Sequence, residues 1–130
     1  MKLELPWVPS LNHYYGMRKA HRFCQRYIST RGKDYRQAVM EALQDVTETL
    51  SERLMVKVTL HGPNKRKYDL DNHAKALLDA LTHAEIWDDD ELIDLLIIER
   101  GEIIKGGKVV VEIAPYQDAV DRWIEPFKEE

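Results

Sequence analysis

A single cysteine, Cys24, stands in the 130 residues. One thiol excludes an internal disulfide framework and any cysteine-based zinc cluster, and it fits a reducing compartment. Its expected place is the surface. Long apolar runs are missing too: none approaches the roughly 20 residues a helix needs to cross a bilayer. The opening MKLELPWVPS lacks the apolar core of a signal peptide. The chain therefore reads as cytoplasmic, with no membrane partner. The five histidines, His13, His21, His61, His73 and His83, show none of the short spacings that bring two rings onto one metal, so zinc is not expected. No internal repeat is present, and 130 residues is the size of one domain with its own core.

Net charge is −4, which taken alone argues against a polyanionic partner. Its distribution reverses that impression. Residues 1 to 67 hold 13 Lys/Arg against 6 Asp/Glu, a balance of +7; residues 68 to 130 hold 6 against 17, a balance of −11. Such asymmetry predicts a cationic surface for a polyanion beside an acidic cluster with another task.

Lys2-Leu3-Glu4-Leu5 alternates and meets Pro6, which reads as a short strand. Residues 12 to 33, rich in Arg, Lys, His and Tyr without a clean period, read as a basic loop. From Asp34, a candidate N-cap, to Arg53, the positions Val39, Leu43, Val46 and Leu50 recur at helical spacing. Leu54 to His61 is β-branched and stops at Gly62-Pro63, a second strand. Leu70, Ala74, Leu77, Leu78 and Leu81 then form one apolar face of a second helix, beginning near Asp71 or Asn72 and running to about Ala84. Leu92 to Glu99 and Lys108 to Ile113, set around Gly101 and Gly106-Gly107, suggest a hairpin-like pair of strands. The expected fold is α+β: one small domain over residues 1–114, with a mixed sheet of about four strands and two main helices in the order β-loop-α-β-α-β-β. Residues 115–130, acidic and broken by proline, read as a C-terminal tail.

The chemistry concentrates in KRKYDLDNHAK, residues 65 to 75. Asp69 and Asp71 flank the core-facing Leu70, so both carboxylates can face solvent at the entry to the helix. Lys75 follows four residues after Asp71, on the same face. A second cluster, Asp88-Asp89-Asp90-Glu91, follows Trp87 beyond the helix. A helix of about 14 residues is about 21 Å long, so the chain after it must double back if the two clusters are to meet. Hard divalent cations such as Mg²⁺ take oxygen ligands, and a protein site often supplies only a few carboxylates, leaving water and substrate phosphate to complete the shell. A lysine nearby can stabilise charge on a phosphoryl oxygen. Equally, Asp71 or Asn72 can cap the helix, Asp69 can favour its positive end, Lys75 can pair with Asp71 and Asp79, and the DDDE run can be a solvated loop. Lys65, Arg66 and Lys67 read either as a phosphate-binding strip or as ordinary surface. Trp7 and Trp87 read as packing residues.

Four stretches together resemble the RusA family of Holliday-junction resolvases. LPWVPSLNHYY is similar to the family's Leu-Pro-Trp-Pro-Pro-Ser-x-Asn opening, from which Val8 and Leu11 depart. STRGKDYR is similar to its Ser-x-x-Gly-x-x-Tyr-Arg. KRKYDLDNHAKALLDAL matches its basic turn followed by Asp-x-Asp-Asn-x-x-Lys and Asp-Ala-Leu, and IWDDDELID is similar to its Trp-x-Asp-Asp signature. The resemblance implies that Asp69, Asp71 and Asp90 bind catalytic Mg²⁺, with Asp89 the alternative if the register is set by the following strand, and that Lys75 assists. It also implies a homodimer acting on four-way junction DNA, since two identical sites suit a two-fold substrate and paired symmetric nicks. The basic half would then line the DNA: Arg18, Lys19, Arg22, Arg26, Arg31 and Lys33 together with Lys65, Arg66 and Lys67. The expected activity is Mg²⁺-dependent hydrolysis of phosphodiester bonds at junctions in recombination and repair. Two other classes remain open at this point: a DNA-binding module whose aspartates only cap a helix, and a metal-dependent hydrolase of a small phosphate ester.

Overall fold

A computed structural model describes residues 1–20 and 22–116. The first strand, β1 (Lys2–Leu5), buries Leu3 and Leu5 and leaves Lys2 and Glu4 outside, as its alternation dictates. A one-turn helix α1 (Leu11–Tyr14) leads into β2 (Tyr15–Ala20) and β3 (Phe23–Ile28), then α2 (Thr30–Ala42), β4 (Leu54–His61), α3 (Leu70–His83), a 3₁₀ turn at Asp90–Leu92, β5 (Ile93–Arg100) and β6 (Lys108–Pro115). The main sheet has the order β1-β6-β4-β5, and β2 and β3 form a separate two-stranded sheet. Strand β4 runs antiparallel to β6 and parallel to β5. A parallel neighbour requires a crossover, and α3 supplies it, bringing its buried face of Ala74, Leu77, Leu78 and Leu81 onto the sheet. The core between sheet and helices gathers Leu54, Val56, Val58 and Leu60 of β4 with Val109, Val111 and Ile113 of β6.

The α+β class and the four-stranded mixed sheet are as expected, and four local readings are corrected. The basic loop at 12–33 contains α1, the β2–β3 hairpin and the start of α2. Helix α2 begins at Thr30, not Asp34, because Ser29 is the cap: its Oγ accepts from the Gly32 N–H at 3.0 Å. The same helix stops at Ala42; Leu50, although at helical spacing, instead forms an isolated bridge with Trp87. Finally, β5 and β6 do not pair with each other, because β4 lies between them. Gly106 and Gly107 still turn the chain, with φ of +85° and +76° that other residues rarely adopt. Cys24 is exposed. No helix among the described residues is long and apolar enough to cross a membrane. Of the tail expected at 115–130, Pro115 ends β6 and Tyr116 follows it; the remainder lies outside the described residues.

Candidate active site

Helix α3 carries the first acidic group. Asp69 occupies its N-cap position, yet the side chain makes no capping hydrogen bond. Its carboxylate accepts only a long contact from Asn72 Nδ2, at 3.4 Å. A helix-cap role therefore does not account for it. Asp71 is exposed in the first turn, and Lys75 lies one turn further along the same stripe. Lys75 Nζ pairs with Asp79 Oδ1 at 3.4 Å rather than with Asp71. Asp79 is the least exposed of this stripe, its other oxygen accepting from the Tyr15 hydroxyl at 2.6 Å.

The loop that delivers Asp69 is fixed by aromatic packing. Tyr68 meets Trp7 and His73 edge-on at 5.2 and 5.1 Å, while the Arg100 guanidinium covers its ring at 4.2 Å. Arg100 Nη2 also donates to the Tyr68 carbonyl at 3.1 Å. The buried His73 ring nitrogen Nδ1 lies 3.2 Å from the Asp69 carbonyl oxygen, and burial holds the imidazole pKa below its ordinary value. Trp7 thus packs as its composition suggested, as does Trp87, which is fully buried with Nε1 donating to Thr82 Oγ1 at 2.8 Å.

The chain beyond α3 does double back. Leu50 and Ile86, and Leu50 and Asp88, exchange backbone hydrogen bonds of 3.0 Å, which turn the connection around Trp87 and set the 3₁₀ turn against α3. Arg53 clamps that turn, donating to Glu91 Oε1 at 3.0 Å and the Glu91 carbonyl at 2.8 Å and pairing with the Asp94 carboxylate. Asp90 is thereby brought within the electrostatic reach of Lys75 and Asp79. Its carboxyl is pushed above the usual carboxylate range, first by burial, then by its hydrogen bond to Asp89 and the nearby negative charges of Asp89 and Asp79; Lys75 opposes the shift. Asp89 goes the other way, lowered by the Glu91 backbone N–H that donates to it. The two register alternatives therefore differ: Asp90 lies within the electrostatic reach of Lys75 and Asp79, whereas Asp89 caps the 3₁₀ turn.

Among the described residues no three His, Cys, Asp or Glu side chains close on a single point. Exposed carboxylates repel one another, so a spread arrangement is what physics expects of them without a counterion. The donor set that is present, carboxylate oxygen from Asp69, Asp71 and Asp90, fits a hard divalent cation that keeps several waters, and it offers nothing to a soft one.

The cations fall into two groups. Lys65, Arg66 and Lys67 stand exposed on the β4–α3 loop. This loop is a ridge between two grooves of about 780 and 420 Å³, both of which include Arg66, Lys67 and Asp69 in their walls. Arg31 and His13 join the larger groove. Arg18, Lys19, Arg22 and Arg26 lie instead on the β2–β3 hairpin, and Lys33 is on the exposed side of α2. Sequence reasoning missed Tyr15 and Arg53 as supports of the site, and saw Asp79 only as an ion partner; the contacts of Tyr15 and Arg53 span 38 or more positions and leave no local pattern.

A family profile described as Endodeoxyribonuclease RusA matches residues 4–114. A crossover junction endodeoxyribonuclease rusA of Enterobacteria phage HK97 is 38% identical over 111 residues, which is 84% of this chain and 89% of that protein. The crossover junction endodeoxyribonuclease RusA of Escherichia coli O139:H28 is 34% identical over 118 residues, 89% of this chain and 95% of its own length. That of Shigella sonnei is 34% identical over 114 residues, covering 85% and 91%. The profile runs from β1 into β6 and takes in both acidic clusters, and on that extent the chain belongs to the RusA family of endodeoxyribonucleases.

Proposed function

We propose that this protein is a Mg²⁺-dependent, structure-selective endodeoxyribonuclease that resolves four-way DNA junctions by paired symmetric nicks, working as a homodimer in recombination and repair. The observation that carries the reading is the packing of the Asp90 turn against α3, which puts Asp90 within the electrostatic reach of Lys75 on the helix that starts at the uncapped carboxylate of Asp69. Asp69, Asp71 and Asp90 would hold the cation, which when bound supplies an activated water and offsets charge on a phosphoryl oxygen. Lys75 approaches the same region from the helix and stabilises the negative charge that builds there, with Asp79 restraining its ammonium until phosphate arrives. The basic ridge of Lys65, Arg66 and Lys67 grips the backbone next to the carboxylates, so affinity and chemistry are adjacent. Arg31 extends the grip across the larger groove. Arg18, Lys19 and Arg22, with Lys33, continue the cationic surface away from the site. The catalytic domain spans residues 1–114, and the names of the relatives, each a crossover junction endodeoxyribonuclease, support the choice of substrate.

The test is substitution of the ligands in the full chain. Asp71→Asn and Asp90→Asn should each abolish junction cleavage while retaining or strengthening junction binding, because each removes a ligand and a repulsion from phosphate. Full cleavage by either variant would take that residue out of the site.

A further inference from the structure

The β2–β3 hairpin has features that the catalytic site does not use. It forms its own two-stranded sheet, unpaired with the main one. No carboxylate occurs between Glu4 and Asp34, whereas Arg18, Lys19, Arg22 and Arg26 all lie on this hairpin. It also exposes apolar side chains that a free-standing hairpin gains nothing by showing to water: Phe23 is 63% exposed and Met17 64%.

The register sorts these residues by face. Ala20 pairs with Phe23, Arg18 with Gln25 and Gly16 with Tyr27, so Phe23, Arg18 and Tyr27 share one face. Tyr27 lies across Gly16, where a Cβ would come within 2.3 Å of its ring, and the Arg18 guanidinium stands 5.2 Å from the ring centroid. Tyr27 is thereby engaged, and Phe23 is left as the exposed ring nearest the turn. On the other face Arg26 covers Tyr15 at 4.0 Å, and Tyr15 bonds to Asp79 of α3. The root of the arm is thus tied to the helix that carries Asp71 and Lys75.

We propose that the β2–β3 hairpin is a stacking arm for branched DNA: Phe23 packs against bases at the branch point while Arg18, Lys19, Arg22 and Arg26 hold the flanking phosphates. The inference rests on the reading of the protein as a junction nuclease and goes on to assign where branch selectivity arises. Charge complementarity selects a nucleic acid as occupant. An aromatic ring stacks on any base and so carries no sequence preference. In a linear duplex the base faces are already covered by their neighbours; at a crossover the stack is interrupted, and an apolar wedge enters at lower cost. Phe23 therefore contributes to junction binding and little to duplex binding, whereas the cations contribute to both.

The experiment uses the full chain in EDTA with a four-way junction carrying 2-aminopurine at the branch point and a linear duplex of matched sequence, at one salt concentration. Wild-type binding should raise 2-aminopurine emission in the junction. Phe23→Ala should weaken junction binding on the order of tenfold, the scale of one base–aromatic stack, leave duplex binding unchanged and abolish the emission change. Phe23→Trp should restore all three. Equal weakening on both substrates, no weakening on either, or a change of oligomeric state in Phe23→Ala would each overturn the assignment, the last by making Phe23 a contact between copies. Cleavage by the wild type with Mg²⁺, run in parallel, separates the two levels. If the junction is cut and Phe23→Ala still discriminates, the arm is wrong and the nuclease reading stands; if the wild type neither prefers nor cuts the junction, both fail.

Discussion

The bond between Tyr15 and Asp79 joins the root of the hairpin to α3, and its removal has a calculable effect. Tyr15 is part-buried, and its hydroxyl pKa is pushed up to about 12 by burial and by the adjacent Asp79, so it remains a donor throughout the working range. Hydrogen bonds to charged groups contribute about 1.5–3 kcal/mol, and the partial exposure of this one puts it at the low end, about 1.5 kcal/mol. Asp79→Ala removes that bond and the Lys75 pair, which adds about 0.3–0.5 kcal/mol. A loss near 2 kcal/mol should lower Tm by roughly 6–10 °C for a chain of this length. Asp79→Asn keeps an acceptor of the same shape without the charge and should lose about half as much. In a double-mutant cycle, Tyr15→Phe with Asp79→Ala should show a coupling of about 1–1.5 kcal/mol by urea unfolding. Effects that add to within about 0.3 kcal/mol would mean that the two side chains do not interact, and the tie between arm and helix would be lost with them.

Other outcomes follow from the same geometry. Lys75→Ala should lower the cleavage rate while junction binding is retained, because it removes charge stabilisation and no metal ligand; an unchanged rate would return Lys75 to a surface ion pair. Neutralising Lys65, Arg66 and Lys67 together should reduce the slope of log K against log salt by up to about 2.7, at about 0.9 per phosphate contact, and a slope that does not change would remove the ridge from the interface. His73 has a folded pKa below its unfolded value because of burial, so its contribution to stability is present above about pH 6.5 and is lost as pH falls through the folded pKa. His73→Gln should therefore flatten the dependence of Tm on pH below about 6.5, and an equally steep dependence would mean that another group titrates there.

How far the sequence could be read depended on what each segment buries. Leu70, Ala74, Leu77, Leu78 and Leu81 all face the core, so the period of α3 was plain, and β4 was equally plain from its buried alternate residues. The hairpin left no such trace, since β3 buries nothing from Phe23 to Tyr27 and its pattern is cationic rather than alternating. Leu50 kept the helical spacing of α2 by coincidence; the partner it satisfies, Trp87, is distant in sequence. The apparent β5–β6 hairpin failed for a related reason: the Gly106-Gly107 turn is a local signal, but the insertion of β4 between the strands is a long-range pairing. In the candidate site, Asp69, Asp71 and Lys75 could be grouped from the sequence because they share one helix entry. Asp90 needed the Trp87 turn and the Arg53 clamp to bring it back, and neither is a local feature.

The most direct measurement of the central proposal incubates the full chain with an end-labelled synthetic four-way junction and a matched linear duplex, each with Mg²⁺ and with EDTA. The account predicts paired, symmetric nicks in the junction alone and only with Mg²⁺. Binding of both DNAs without cleavage in either condition would contradict it, and would leave the aspartates of α3 without a catalytic role.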